Sequence, residues 1–353
     1  MLRAFVLLMM SLLCAADAGA QWSPQASGTG VRLRGVSAVS REVAWASGDR
    51  GTYARTTDGG RTWRAGVVPG AEALDFRDVD AFDADTAYLL AIGAGERSRI
   101  YKTTDAGRSW ALQFQNTRPD AFFDAMAFWD RDHGIAMSDP VGGKFLIITT
   151  SDGGRTWAES PAAGMPPALE GEGGFAASGT CIAVRGKSHV WFGTGGPRGA
   201  RVFRSRDGGR TWEVSATPLL SGASAGVFSV TFTDARRGVV VGGDYTKEQE
   251  AGANVAVTDD GGKTWALAAG RRPNGYRSAV AVVPSKTAFT LVAVGPNGAD
   301  LSLNGGRSWV AYGREGFHSV SFAGYAAGWA VGEGGRIFKH SGGQGPPKPP
   351  RPL

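Results

Sequence analysis

Three carboxylates stand in glycine-rich loop segments: Asp139 in "SDPVGG" (138–143), Glu172 in "LEGEGG" (169–174) and Asp244 in "GGDYTKEQEAGA" (242–253). Two such groups held roughly 5–10 Å apart across a deep cleft would suit glycosidic hydrolysis, one as acid and the other as base or nucleophile. Glu170 and Glu333 add charge in similar segments, and Ser178, Tyr245, Arg277, Asn297 and His318 lie in loops of the same kind. Carboxylates, a Tyr, an Arg and a His gathered on one concave surface could also bind a ligand without turning it over. The plainer reading of each residue is that Asp and Glu cap turns and that Arg277 pairs with one of them.

Other chemistries find little support. The four histidines, His133, His189, His318 and His340, lie on different segments without metal-ligand spacing. No Ser–His–Asp arrangement is visible, and no G-x-G-x-x-G opens a helix. Of the two cysteines, Cys14 falls in an apolar leader and Cys181 stands alone in "TCIAV", where it reads as a small buried hydrophobe. Neither a metal nor a cofactor is expected.

The elements that must position these residues are set by a repeat. "TTDGGRTW" (56–63) returns as "TTDAGRSW", "TSDGGRTW", "SRDGGRTW", "TDDGGKTW" and "SLNGGRSW". Asp58, Asp105, Asp152, Asp207, Asp260 and Asn304 share one position of the phrase, 44 to 55 residues apart. That period suits a four-stranded propeller blade. Within the phrase, the Asp or Asn accepts turn N–H groups and the glycines supply positive φ. Trp63, Trp110, Trp157, Trp212, Trp265 and Trp309 begin an outer strand, each with a ring sized to fill the wedge between blades.

Six segments end in the phrase. A seventh, "FHSVSFAG", "GWAVGEGG", "RIFKHSGG", keeps three strands and lacks the Asp and the Trp. Residues 21–27, "QWSPQAS", resemble the outer strand "SWALQFQ" (109–115) and supply the missing fourth strand. The expectation is an all-β fold, a single seven-bladed β-propeller over residues 21–343, with its ring closed by an N-terminal outer strand and no exposed sheet edge left. The repeated turns and the strand one–two turns then share one face. The strand two–three loops and the blade-to-blade links share the other, where the candidate residues fall and where loops vary.

The phrase resembles the Asp-box (BNR) repeat, S/T-x-D-x-G-x-T/S-W, found in sialidases, some other glycoside hydrolases, sortilin-type receptors and the photosystem II stability/assembly factor family. In those proteins the box is a fold element remote from the active face. The early F/Y-R-I-P motif of sialidases is absent here, and "YRS" (276–278) comes far too late to replace it. Xyloglucanase-type hydrolases carry two propellers, whereas this chain has repeats for one. "GWAVGEGGRIFKHSGG" (328–343) and "RIYKTTDAGRSW" (99–110) resemble the photosystem II stability/assembly factor family over about residues 22–343. That resemblance implies an exported, non-catalytic scaffold for a protein partner, such as a membrane-complex subunit. A glycan partner, and a sialidase-like hydrolase using Asp139, Glu172 or Asp244, stay open as alternatives. The longer loops of blades three and five depart from a plain ring.

Composition bounds the rest. The chain has 353 residues and a net charge of +6, spread around the turns through Arg61, Arg108, Arg155, Arg210, Lys263 and Arg307. This is not a basic stripe interleaved with aromatics, so nucleic acid is not expected. Residues 1–20 read as a signal peptide: Arg3, the apolar "AFVLLMMSLL", then "AGA" before Gln21. Lipidation at Cys14 is disfavoured by the large Leu13 before it. The mature chain is therefore expected outside the cytoplasm, secreted or periplasmic, without a transmembrane anchor, as a monomer. Residues 344–353, "QGPPKPPRPL" with Gly343 before them, read as an extended Pro-rich tail.

Overall fold

The computed structural model describes residues 22–284, 289–340 and 342. The leader (1–20) and the Pro-rich tail (344–353) lie outside the described residues.

Among the described residues twenty-eight strands form seven four-stranded antiparallel sheets, each a simple meander except the last. The inner strands, in blade order, are Leu33–Ala38, Asp75–Ala81, Phe123–Phe128, Ile182–Arg185, Ala225–Phe232, Ala279–Val282 and Ser319–Gly324. In blade seven, Trp22–Gln25 pairs antiparallel with Ile337–His340, Trp22 opposite His340. The first strand of the described chain is thus the outer strand of the last blade, and the ring closes as the sequence predicts. Among the described residues three short 3-10 turns interrupt the strands, and no helix is long and apolar enough to cross a membrane.

The strand pattern follows from what each strand faces. Second strands are the most buried; Ala87–Ile92, for example, is buried at every position because a neighbouring blade covers each face, and it reads as an unbroken apolar run. Third strands alternate, as in Thr52–Thr56, and outer strands such as Arg64–Val67 are largely exposed. Seven apolar clusters fill the seven wedges, and each holds one tryptophan from the start of an outer strand. Trp110 of blade two, for example, sits 5.1 Å from Tyr53 and 6.2 Å from Trp45 of blade one. Trp22 takes that place between blades six and seven. A ring of this size hides about 150–250 Å² on burial, so the tryptophans are the main wedge fillers.

Side chains bridge the inner strands of adjacent blades. Ser37 Oγ accepts from Ala81 N at 3.1 Å, Asp78 Oδ2 from Met126 N at 2.8 Å, and Ser321 Oγ from Ala38 N at 3.0 Å. The acidic run "FRDVDAF" is explained in part by this, since Asp78 and Asp80 latch blade two to blade three.

The recurring turns repeat one hydrogen-bond pattern. In blade two, Thr103 Oγ1 donates to Asp105 Oδ1 (2.9 Å), Gly107 N donates to Thr103 Oγ1 (2.9 Å), and Ser109 N and Oγ donate to Asp105 (2.9 and 2.6 Å). The bonds from Ser109 hold the Asp105 carboxyl down at about 2. In blade six, Asn304 makes the same turn, with Oδ1 accepting from Ser308 N (2.9 Å) and Nδ2 donating to Ser308 Oγ (2.8 Å). The second glycine of the turn is the demanding one: at Gly107 (φ +82°) a Cβ would come within 2.7 Å of the Tyr53 ring. The first position tolerates Ala106 at φ +71°. Each turn is tied to the strand one–two turn of its blade, as by Gly59 N to Glu42 O and Gly153 N to Asp132 O, both 2.9 Å. Those two sets of turns therefore share one face.

Candidate functional site

On the opposite face a cavity of about 690 Å³ opens at the axis. Its position is set by the inner strands and by the long link between blades three and four. In four blades the inner strand carries a β-bulge at its cavity end. In blade one, Leu33 pairs with Gly48 and Gly35 with Ser47, which leaves Arg34 as the extra residue. The matching residues are Arg77 in blade two, Asp124 in blade three and Phe228 in blade five. All four line the cavity. A bulge turns one side chain out of the strict alternation, and here it turns each toward the axis.

The link over residues 160–180 runs down into the ring. Gly173 bridges Gly195, which in turn bridges Gly226. Phe175 stacks on Phe228 with ring centroids 3.9 Å apart. Arg77 Nη1 donates to Ala176 O (2.8 Å), and Ser178 Oγ donates to Ser278 O (2.9 Å). Residues 174–177 line this cavity, while Gly179 and Thr180 line a second one of about 710 Å³ at the other mouth. The second cavity is walled mainly by the apolar and backbone ends of inner strands.

Three arginines meet in the first cavity with unequal partners. Arg32 Nε lies 3.1 Å from Asp49, and Arg77 Nε lies 2.8 Å from Asp75. Arg34 is only 8% exposed, its Nε has no hydrogen-bond partner, and no ion pair reaches its guanidinium among the described residues. Burial, with Arg77 and Arg32 beside it, pushes its pKa down to about 10. The acids respond to the same burial. Asp124 is fully buried with an unbonded Oδ2, and its carboxyl is pushed well up by burial and by Asp139. Burial raises Asp139 to about 6 against the opposing bond from Gly174 N (2.7 Å). His318 Nε2 is 2.7 Å from Glu333, yet burial and Arg34 push the imidazole down to about 4.

Of the ten residues singled out from the sequence, the structure brings Asp139, Tyr245, His318 and Glu333 to this cavity. The other six lie elsewhere. Glu172 is buried in the link, accepting from Thr194 Oγ1 (2.6 Å), Leu169 N (2.8 Å) and Arg201 Nε (2.8 Å). Arg277 is buried against Asp300 (2.5 Å) and Asn297 (2.6 Å), and Asn297 in turn holds Glu248 O (2.9 Å). Ser178 is spent on Ser278 and Thr180. Asp244 caps its own turn through Thr246, and Glu170 makes an exposed pair with Arg198. Asp139 also differs in kind: it lies within the strand Gly134–Val141, at a bulge before Pro140, rather than in a loop. The tight pair Gly142–Gly143, not the whole "SDPVGG", makes the turn.

Arg32, Arg34, Arg77, Asp124, Phe175 and Tyr276 were not among those ten. For the four charged residues the signal was charge at or beside inner strands, in "VRLRG", "FRDVDAF" and "FDAMAF", where apolar residues would otherwise face the core; Phe175 and Tyr276 lie in connecting segments and carry no such signal. Cys181 is fully buried in the wedge between blades three and four, with its thiol pushed up by burial. No group of three or more metal-ligating side chains occurs among the described residues.

Fold and site together define a seven-bladed β-propeller with one polar, aromatic-walled cavity opposite its recurring turns. No family model matches the chain. A stretch of 63 residues is 36% identical to the chloroplastic photosystem II stability/assembly factor HCF136 of Cyanidioschyzon merolae, covering 18% of this chain and 13% of that protein. Among solved structures, Ycf48 from Cyanidioschyzon merolae superposes with a TM-score of 0.64 at 17% identity, over 91% of this chain and 99% of that one. Ycf48 bound to a D1 peptide gives 0.63 at 16% identity, over 91% and 96%. The GH74 enzyme of Niastella koreensis gives 0.61 at 17% identity, over 92% of this chain and 54% of that one. These likenesses show the propeller fold, and the chain resembles the photosystem II assembly-factor propellers along nearly their whole length.

Proposed function

We propose that this chain is an exported, non-catalytic propeller that binds a protein partner through the cavity face. The observation that carries the reading is the contrast between a polar, aromatic-walled cavity lined by re-aimed inner-strand residues and a turn face whose recurring Asp side chains are engaged in their own turns. Two of the three carboxylates that hydrolysis would use, Glu172 and Asp244, are committed to local hydrogen bonds. Asp124, the neighbour of Asp139, is 1% exposed. Neither Glu172 nor Asp244 therefore faces Asp139 as the partner that hydrolysis would need. The likeness to assembly-factor propellers, one of them bound to a peptide, supports a protein partner, and the leader sequence supports export.

A hydrolase remains the second reading because Asp139, raised to about 6, is suited to proton transfer near neutrality. One experiment separates the two. Wild-type mature protein, a Tyr245→Ala/Glu248→Ala variant at the cavity and an Arg108→Ala/Arg155→Ala variant on the turn face are immobilised and exposed to envelope extract of the source cells. A partner retained by wild type and by the turn-face variant, and lost by the cavity variant, is expected, with no release from an oligosaccharide panel. Loss of the partner on the turn-face variant alone, or turnover abolished by Asp139→Asn, would refute the proposal.

A further inference from the structure

We propose that the axial cavity is a carboxylate-binding site: the Arg34 guanidinium takes a single carboxylate, and the stacked Phe175–Phe228 pair takes the apolar group that carries it. This rests on the cavity face being the working face, but its test needs no partner protein.

The first support is an imbalance. Burying a cation without a partner costs several kcal/mol, and folded chains normally pair or expose it. Arg32 and Arg77, in the same cavity, follow that rule through Asp49 and Asp75. Arg34 does not, although it is the most buried of the three. The second support is placement. Arg34 is the extra residue of a bulge, and the bulges of blades two, three and five deliver Arg77, Asp124 and Phe228 to the same space. The arrangement holds one guanidinium toward the cavity on rigid strands rather than on a loop.

Charge and shape then select the ligand class. One uncompensated positive charge matches one negative charge. A dianion such as phosphate would also meet Asp124, Asp139, Glu248 and Glu333 around the same walls. The planar guanidinium fork matches the two oxygens of a carboxylate. Beside it, Phe175 lies flat on Phe228, and Tyr276 meets Phe228 edge-on at 4.7 Å. These rings suit an aromatic or branched aliphatic group. The volume, about 690 Å³, admits either a free organic acid or the end or acidic side chain of a peptide segment.

The test uses purified mature protein and titration calorimetry. The probes are 3-phenylpropionate and its amide, and acetyl-Ala-Ala-Phe with a free or an amidated C-terminus. At least one acid should bind roughly 10- to 100-fold more tightly than its own amide, the range expected for a charge-assisted pair. Arg34→Met should remove that preference, and Arg34→Lys, which keeps the charge without the fork, should weaken it. Inorganic phosphate should not displace the bound acid. Binding of 3-phenylpropionate alone assigns the site to a free acid, and binding of the peptide acid alone assigns it to a partner's segment. An independent readout is stability: with its unpaired cation gone, unliganded Arg34→Met should melt above wild type. Equal binding of acid and amide, no binding of any probe, displacement by phosphate, or acid binding unchanged in both Arg34 variants would overturn the proposal. Each of these results leaves partner capture by the cavity face to be judged on its own.

Discussion

The two faces of this propeller follow opposite rules. On the turn face one solution is repeated six times: a hydroxyl bonded to a carboxylate or amide two residues on, two residues at positive φ, and the same side chain accepting from the backbone four residues further. On the cavity face nothing repeats except the bulge, and the residues placed there include an arginine and an aspartate with atoms left unbonded. Repetition marks the places where the chain satisfies itself. Unbonded buried atoms also occur on wedge tryptophans such as Trp110 and Trp157, but in the cavity they belong to charged side chains, and such groups call for a ligand or a local compensation.

The sharpest way to break this contrast is to attack the link that shapes the cavity. Glu172 is buried against Arg201 and two other donors, so Glu172→Ala strands a cation and frees the link. The expected loss is about 3–5 kcal/mol in urea unfolding. A loss confined to a few tenths of a kcal/mol would show that the link is not held as described.

Asp139 sharpens the comparison through pH. Its folded pKa, about 6, lies above the ordinary 3.8, so the unfolded chain gives up this proton first as pH rises. The stability tied to its protonated form is full below about 4 and is lost as pH climbs through about 6. Asp139→Asn should therefore match wild type at pH 4 and exceed it above pH 6, by on the order of 2–3 kcal/mol. Denaturation midpoints of the two proteins across that range test it, and parallel curves would contradict the assignment.

The smallest effect belongs to the turn face. Asp207 accepts from Thr211 N and Oγ1 and from Arg210 N. Asp207→Ala should cost about 1–2 kcal/mol, like the loss of a capping side chain. Asp207→Asn should cost less, because blade six already runs this turn on Asn304. An Asn variant as damaged as the Ala variant would mean that charge, not hydrogen-bond geometry, holds the turn.

Most of the fold was legible in the sequence because six of the seven blades are local meanders marked by the same phrase. Even the closure by the first strand could be read, since the last segment lacks its outer strand and "QWSPQAS" (21–27) resembles one. The site was legible in part. Asp139, Tyr245, His318 and Glu333 were reachable by asking which loops face away from the turns. Glu172 and Arg277 were not distinguishable from ligand-facing groups, because their partners Arg201 and Asp300 lie 29 and 23 residues away. Arg34, Arg77 and Asp124 were hidden for another reason: a bulge shifts which side of a strand a residue faces, and strict alternation gives no warning of it.

Closure by the first strand also has a consequence in time. During synthesis Trp22–Gln25 emerges before any blade exists, while its partner Ile337–His340 emerges after all the others. Until then the nascent chain carries an unclaimed strand at one end and an uncovered last blade at the other. Cooperative completion of the ring must therefore wait for the final repeat, and a chain stalled or cut just short of it is left as an arc with two sticky ends.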